Sequence, residues 1–187
     1  MNERLIPGTK IPYHDEKIGF SYFVPLLRAT EGLTLSQVCT LTGLETSTIQ
    51  NWVKRGFVPR PVNKLYRERH LARILLISAL RDGMQLDRIG ELMTLINGVT
   101  DDESDDIISE EELYDIFCSL VSDCCGKVFS QKEVNALVIR ATREYRPPDK
   151  EALERLRQAL VVMIYAYTSG LLKQKSEEEF ENLKRMN

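Results

Sequence analysis

The sequence predicts a mainly α-helical fold, with a helix-turn-helix head followed by a helical C-terminal body. Three observations support this fold class. Apolar residues recur at spacings of three and four along most of the chain. Capping residues such as Ser and Thr precede these segments, and Gly or Pro follows them. The 187-residue chain is long enough for one large or two small domains with hydrophobic cores.

The head is predicted from two short helices that meet at residues 42–45. Thr34 followed by Gln37 is a capping box that opens the first helix. Gly43 supplies the tight corner between the helices, and Gly56 stands where a glycine would end the second one. Residues at helical spacing give the second helix an inward face: Ile49, Trp52 and Val53.

The outward face of the second helix carries side chains suited to the major groove of DNA. We expect base contacts from Ser47, Gln50, Asn51 and Lys54, because Gln and Asn form bidentate bonds to adenine and Ser and Lys reach base edges. Trp52 is assigned to the core. A solvated helix face without a binding role is the alternative interpretation.

A basic segment follows this helix. Residues 54–81 contain eight Lys or Arg and one acidic residue, Glu68, which is typical of a phosphate-binding surface. Val58 and the pair Leu65–Tyr66 are expected to form a short two-stranded ribbon, and two prolines limit the segment to turns and edges. A plain solubilising surface is the alternative. The expected phosphate contacts are Thr46, Arg55, Arg60, Lys64 and Arg67.

These residues together resemble the DNA-binding head of MerR-type regulators. The resemblance extends to an uncharacterised bacterial family with a MerR-like head, through the ribbon residues Pro59, Pro61, Lys64 and Tyr66 and the leucine-rich helix after them. It implies a winged helix-turn-helix and DNA binding by analogy of fold. The positions that carry the MerR resemblance are Gly43-Leu44, Thr48-Ile49, Trp52, Lys54-Arg55-Gly56-Phe57, Pro59, Tyr66, Leu71 and Gly83-x-x-Leu86-x-x-Ile89.

The first 19 residues show little periodicity and are expected to form an arm that packs against the head. An arm that reaches into DNA is the alternative, with Arg4, Lys10 and Lys17 as its cations. A short helix capped by Ser21 is expected to run to Arg28.

Two helices are predicted after the ribbon. Residues 68–80 are apolar over most of their circumference, which indicates a buried helix, and His70 within them is expected to cap or face solvent rather than bind a ligand. Residues 86–96 form a second apolar stripe that ends at Asn97-Gly98.

The acidic run at 101–112 permits two interpretations. Its oxygen-bearing residues match most positions of an EF-hand calcium loop, but Asp106 replaces the turn glycine and no second loop is present. An acidic linker that ends in the capping box Ser109–Glu112 is favoured.

Four cysteines are present without a CxxC pair, so a structural zinc site or disulfide scaffold is not expected. Cys118, Cys124 and Cys125 lie on one predicted helix, where small core residues are favoured over a thiol or metal sensor.

Helices are further predicted from the capping box Ser130–Glu133 and from Asp149 after two prolines. The last helix is expected to give way after Ser176 to a charged short helix or tail. Its seam favours an intramolecular core, and a homodimer through the C-terminal helices stays open as an alternative. The seam residues are Leu153, Leu156, Leu160, Met163, Ile164, Tyr167 and Leu171.

Charge divides the chain into a basic head and an acidic body. Residues 1–97 contain 13 basic and 9 acidic side chains, whereas residues 98–187 contain 12 and 19. We expect an arm (1–19), a winged helix-turn-helix head (20–97), an acidic linker (98–112) and a helical regulatory or oligomerisation region (113–187). The absence of a signal pattern and of a long apolar run indicates a cytoplasmic protein with no membrane partner.

The expected function is sequence-specific binding of double-stranded DNA in transcriptional regulation, with no cofactor and no metal. The alternative is a protein-interaction or assembly module that keeps a MerR-like shape without reading DNA. An enzyme is not expected, because no His-centred base, glycine-rich phosphate loop or carboxylate pair with a nucleophile is visible.

Overall fold

The computed structural model describes residues 4–13, 18–102, 104–124 and 130–186, and this part of the chain is mainly α-helical. Its strands are short and form two two-stranded sheets. In chain order the strands and α-helices are β1 (Arg4–Leu5), β2 (Pro12–Tyr13), α1 (Val24–Thr30), β3 (Leu33–Thr34), α2 (Leu35–Thr42), α3 (Thr46–Lys54), β4 (Leu65–Tyr66), α4 (Glu68–Leu80), α5 (Leu86–Asn97), α6 (Glu110–Cys124), α7 (Gln131–Ala141) and α8 (Lys150–Arg185).

The helix starts follow from local capping chemistry. Thr34 and Gln37 form the predicted capping box of α2, and Ser130 and Glu133 form that of α7. The carboxylate of Asp149 accepts the Ala152 N–H at 2.7 Å and begins α8. Each cap uses groups within four residues of one another, which explains why these boundaries are readable from the sequence.

The helix α4 lies at the centre of the hydrophobic core. It packs against α6 and α8 and also contacts α2 and α5. Its apolar side chains from Leu71 to Ile77 are almost completely inaccessible to solvent. A helix that is apolar on nearly all sides needs cover from several neighbours, and this arrangement supplies it.

The N-terminal arm contains more regular structure than predicted. Strands β1 and β2 form a small antiparallel hairpin. As expected, the arm packs on the rest of the chain: the Lys10 N–H donates to the Leu41 carbonyl at 3.0 Å, and the Tyr114 hydroxyl donates to the Pro7 carbonyl at 2.7 Å. His14 to Lys17 lie outside the described residues.

Two predictions for the head are wrong, one about the start of a helix and one about the pairing of a strand. The helix expected from Ser21 is a 3₁₀ turn at Phe20–Tyr22, followed by α1 from Val24, where Pro25 occupies the first turn. The ribbon expected between Val58 and Leu65–Tyr66 does not form: Val58 belongs to no strand, and its N–H donates to the Trp52 carbonyl at 3.4 Å. Instead β4 pairs antiparallel with β3.

The last helix, α8, is 36 residues long and therefore spans about 54 Å. Its first part carries the predicted seam into the intramolecular core, where Leu156, Leu160 and Met163 are fully buried. From Leu171 onward every described side chain is exposed. The tail expected after Ser176 is therefore a continuation of the same helix. In the described part of the chain, no helix is long and apolar enough to cross a bilayer.

Candidate nucleic-acid interface

The two helices of the predicted head meet through a tight turn. The Gln37 side chain accepts the Thr34 N–H at 2.8 Å and fixes the start of α2. Gly43 ends α2 in the left-handed region at φ 71°, where a residue without Cβ is favoured. After this turn, Glu45 is the N-cap residue of α3. The turn thereby sets the direction in which α3 leaves α2.

The side chains of α3 separate into a buried face and an exposed face. Ile49 and Trp52 are at most 3% exposed, so Trp52 is a core residue as predicted. Gly56 adopts φ 78° just beyond the helix, and the Phe57 N–H donates to the Trp52 carbonyl at 2.9 Å, which closes the last turn. All four predicted base-contact residues are exposed on the other face: Ser47, Gln50, Asn51 and Lys54.

The five predicted phosphate contacts are also exposed, but they differ in their surroundings. Thr46 opens α3, with its hydroxyl 3.8 Å from the Cys39 sulfur. Arg60 and Arg67 flank a tight hairpin in which Val62 and Leu65 bond each other through their backbones, and Lys64 occupies its tip. Asn63 and Lys64 both have positive φ, as a two-residue hairpin turn of type I′ requires.

Arg55 is engaged by the body of the protein. Its guanidinium forms an ion pair with the carboxylate of Asp87 on α5 and lies over the Phe57 ring, 4.6 Å from the ring centroid. The Phe57 ring lies directly on Gly90, where a Cβ would not fit. Because the Arg55 side chain is still 43% exposed, it remains accessible while it is held in this position.

Two arginines of the basic segment are largely buried and paired with carboxylates. Arg73 is 2% exposed and forms a buried ion pair with Glu110 at the start of α6. Arg69 lies 3.4 Å from the carboxylate of Asp106. The basic footprint expected from residues 54–81 is therefore smaller on the surface than in the sequence. The signal for this was Arg73 itself, a charge inside an otherwise apolar helix, since buried charges require partners.

His70 is a buried capping residue and links α4 to the hairpin. Its Nδ1 accepts the Arg67 N–H at 3.2 Å, and its Nε2 lies 2.9 Å from the Arg60 carbonyl. These two partners require the neutral ring with its proton on Nε2. Burial lowers the pKa of His70, which favours the same neutral form. Of the two positions expected for His70, the capping one is confirmed, and the solvent-facing one is wrong because the ring is buried.

Lys10 is a cation whose position the sequence did not reveal. Its side chain crosses the face of Gly43, in the space that a Cβ would occupy, so the ammonium group lies beside the α2–α3 turn. The exposed Lys10 thus adds positive charge next to the start of α3. Lys17, another cation of the arm, lies outside the described residues.

The acidic run is stabilised by hydrogen bonds between residues close together in sequence. The Asp105 carboxylate accepts the Val99 N–H at 3.1 Å, and the Asp102 carboxylate accepts the Ser104 N–H at 2.9 Å. Ser109 accepts the Glu112 N–H at 3.2 Å, and α6 begins at Glu110 as the capping box predicts. Glu103 lies outside the described residues. Among the residues that the structure describes, no group of three or more His, Cys, Asp or Glu is placed to hold a metal ion.

The cysteines of α6 occupy the core, which agrees with the favoured interpretation. Cys118 is fully buried, and burial raises the pKa of its thiol to about 12. Cys124 is also buried, whereas Cys125 lies outside the described residues. The thiol of Cys118 is therefore protonated and inaccessible at neutral pH.

Comparison with known proteins relates the candidate interface to an uncharacterised family. Residues 29–117 match the family model described as "Domain of unknown function (DUF1836)". The uncharacterized protein YkrK of Bacillus subtilis (strain 168) is 30% identical over 101 residues, which cover 52% of this chain and 43% of YkrK. The chain thus spans less than half the length of this curated relative. No solved structure gives a significant match. The matched region contains every candidate base and phosphate contact, and it is through this region that the chain resembles an uncharacterised family.

Proposed function

We propose that this protein is a sequence-specific DNA-binding regulator of transcription with a MerR-like winged helix-turn-helix head. In this proposal α3 enters the major groove of double-stranded DNA, and the hairpin within residues 58–67, with Asn63 and Lys64 at its tip, forms the wing on the adjacent phosphates. The observation that carries the proposal is the division of α3, where Ile49 and Trp52 are buried while Gln50 and Asn51 project into solvent. Exposed amide side chains on a rigid helix are suited to bidentate contacts with adenine.

The cations near α3 support contact with the DNA backbone. Arg60, Lys64 and Arg67 are exposed around one hairpin. Within the part of the chain that the structure describes, none of the three forms an ion pair with an acidic side chain. Charges that are not neutralised by the protein can displace the counterions condensed on DNA.

Arg55 has a different role in this proposal. Asp87 and Phe57 hold the Arg55 guanidinium in position. The guanidinium can therefore contact a phosphate only if the Asp87 carboxylate shares or releases it. Since both side chains of this pair are largely exposed, the ion pair is weak enough to exchange. Arg55 is therefore expected to contribute less to binding than Lys64.

The experiment that tests the proposal is fluorescence anisotropy with random duplex DNA over a series of salt concentrations. The double variant Arg60→Ala/Lys64→Ala is compared with the wild type. The matched control is Lys132→Ala/Arg143→Ala, which removes the same charge from exposed positions in and beside α7. We expect the slope of log affinity against log salt to fall by about two in the hairpin variant and to stay unchanged in the control. Absence of wild-type binding at low salt would contradict the proposal.

A second candidate is a protein-interaction module that does not read DNA. The observation that favours it is an exposed apolar pair at the end of α5, where Leu95 is 61% and Val99 is 64% exposed. Leu95 lines a shallow groove together with Phe57, Asp87 and Glu91. This candidate predicts that the wild type and the hairpin variant show the same lack of affinity for duplex DNA at low salt.

A further inference from the structure

The distal part of α8 carries an exposed apolar row. Along the helix, positions spaced by three and four residues fall within an arc of about 80° at 100° per residue. Three of its large side chains are more than half exposed: Leu172 at 52%, Phe180 at 57% and Leu183 at 57%. We call this row the distal stripe, and its members are Val162, Tyr165, Ser169, Leu172, Ser176, Phe180 and Leu183.

The ion pairs within this part of α8 are too weak to stabilise an isolated helix. Lys175 and Glu179 form an ion pair of 3.7 Å in which both side chains are about two-thirds exposed. Lys184 pairs with Glu181 at 2.5 Å and is also mostly exposed. Such pairs contribute little in water, and a helix that projects without packing is marginal. We therefore expect the distal stripe to pack against another surface.

We infer that a second copy of this chain covers the distal stripe, with the two helices antiparallel and their centre at Ser176. The stripe is symmetric about this residue, because Leu172 and Phe180 lie four positions on either side and Ser169 and Leu183 lie seven. In an antiparallel pair with this centre, Leu172 of each copy faces Phe180 of the other. The small Ser176 side chains meet at the two-fold axis and let the helices approach closely.

The charges beside the stripe select this orientation. Lys173 and Lys175 precede Ser176, and three glutamates follow it at 177–179. Antiparallel helices place the two lysines of one copy beside Glu177 and Glu179 of the other, because these two glutamates flank the stripe, whereas parallel helices in register place like charges together. The interface is distinct from the seam that runs from Leu153 to Tyr167, which is used within the monomer. It does not depend on DNA binding.

The assembly is tested by sedimentation equilibrium of the full chain from the low to the high micromolar range. The wild type is expected to dimerise as its concentration rises, and Leu172→Glu/Phe180→Glu is expected to stay monomeric. The matched control is Leu171→Glu, because Leu171 is similarly exposed at 43% but lies on the opposite side of the helix. This control should dimerise like the wild type. A wild-type monomer at all concentrations, or equal effects of both changes, would overturn the inference.

Orientation is tested with cysteines placed on the stripe. An equimolar mixture of Leu172→Cys and Phe180→Cys chains should form an intermolecular disulfide under mild oxidation, because these positions face each other only in the antiparallel pair. Leu172→Cys alone should not cross-link through position 172, and peptide mapping identifies the linked residues. Efficient linkage of position 172 to itself would show a parallel pair and overturn the inference.

Discussion

The guanidinium of Arg73 on α4 and the carboxylate of Glu110 on α6 form an ion pair that is almost completely buried. Arg73 also donates from Nε to the Phe57 carbonyl at 3.0 Å, and Thr100 donates to the Gly56 carbonyl at 2.8 Å. The residues that follow α3 are thus bonded to the helical body and to the acidic linker at 98–112. The orientation of the candidate recognition helix therefore depends on this buried pair as well as on the turn before it.

Removal of the acidic partner should destabilise the whole protein. In Glu110→Ala the Arg73 charge stays buried without its partner, and we expect the free energy of unfolding to fall by about 3–5 kcal/mol. Asp123→Ala is the control, because Asp123 forms an exposed pair with Arg140 and its loss should cost at most about 1 kcal/mol. Urea denaturation measures both. Equal losses in the two variants would show that burial of the Arg73 pair is unimportant.

The acidic run at 101–112 should make stability depend on pH through Asp106. Its side chain is only 10% exposed, and burial raises its pKa to about 6, with the negative charge of Glu110 adding to the shift and Arg69 opposing it. The folded state therefore binds this proton more tightly than the unfolded chain. Its contribution to stability is greatest below about pH 4 and is lost as pH rises to about 6.

Asp106→Asn tests this dependence, since asparagine mimics the protonated acid. At pH 7.5 we expect the variant to be more stable than the wild type by about 1–3 kcal/mol, the gain being reduced by loss of the Arg69 ion pair. The difference should shrink towards pH 4, where the wild type is itself protonated. Denaturant titrations at several pH values measure it. A variant that is less stable at pH 7.5 would mean that the ion pair outweighs the burial of the charge.

His70 should act in the opposite direction. Because burial lowers its pKa, the neutral ring contributes stability above the ordinary value of about 6.5, and this contribution is lost as pH falls below it. His70→Ala removes the bonds to Arg60 and Arg67 and should cost about 1–3 kcal/mol at pH 7.5. The gap to the wild type should narrow on acidification. A gap that is constant between pH 7.5 and 5 would contradict the neutral capping role.

Local features of the fold could be predicted from the sequence, whereas long-range pairings could not. The capping box of Thr34 and the burial of Trp52 depend on residues a few positions away, so both could be predicted from the local sequence pattern. The partner of β4 is β3, some thirty residues earlier, and strands of two residues carry no alternation that identifies a partner. The ion pair of Arg55 with Asp87 also joins residues far apart in sequence, so it could not be predicted, although the charge of each residue is visible.

Two substitutions on the candidate interface should separate reading of the base sequence from attraction to the backbone. Gln50 is exposed on α3 and is expected to contact a base edge, whereas Lys64 is exposed at the hairpin tip and is expected to contact phosphate. Gln50→Ala should weaken binding to a selected operator by about 1–3 kcal/mol and relax the preference at one position. Lys64→Ala should weaken binding to all sequences alike and lower the salt slope by about one. Both are measured against a panel of single-base operator variants, with Lys132→Ala as the charge-matched control for Lys64. If Gln50→Ala weakened every sequence equally, Gln50 would have no role in base recognition, and the contact would have to be reassigned to the backbone.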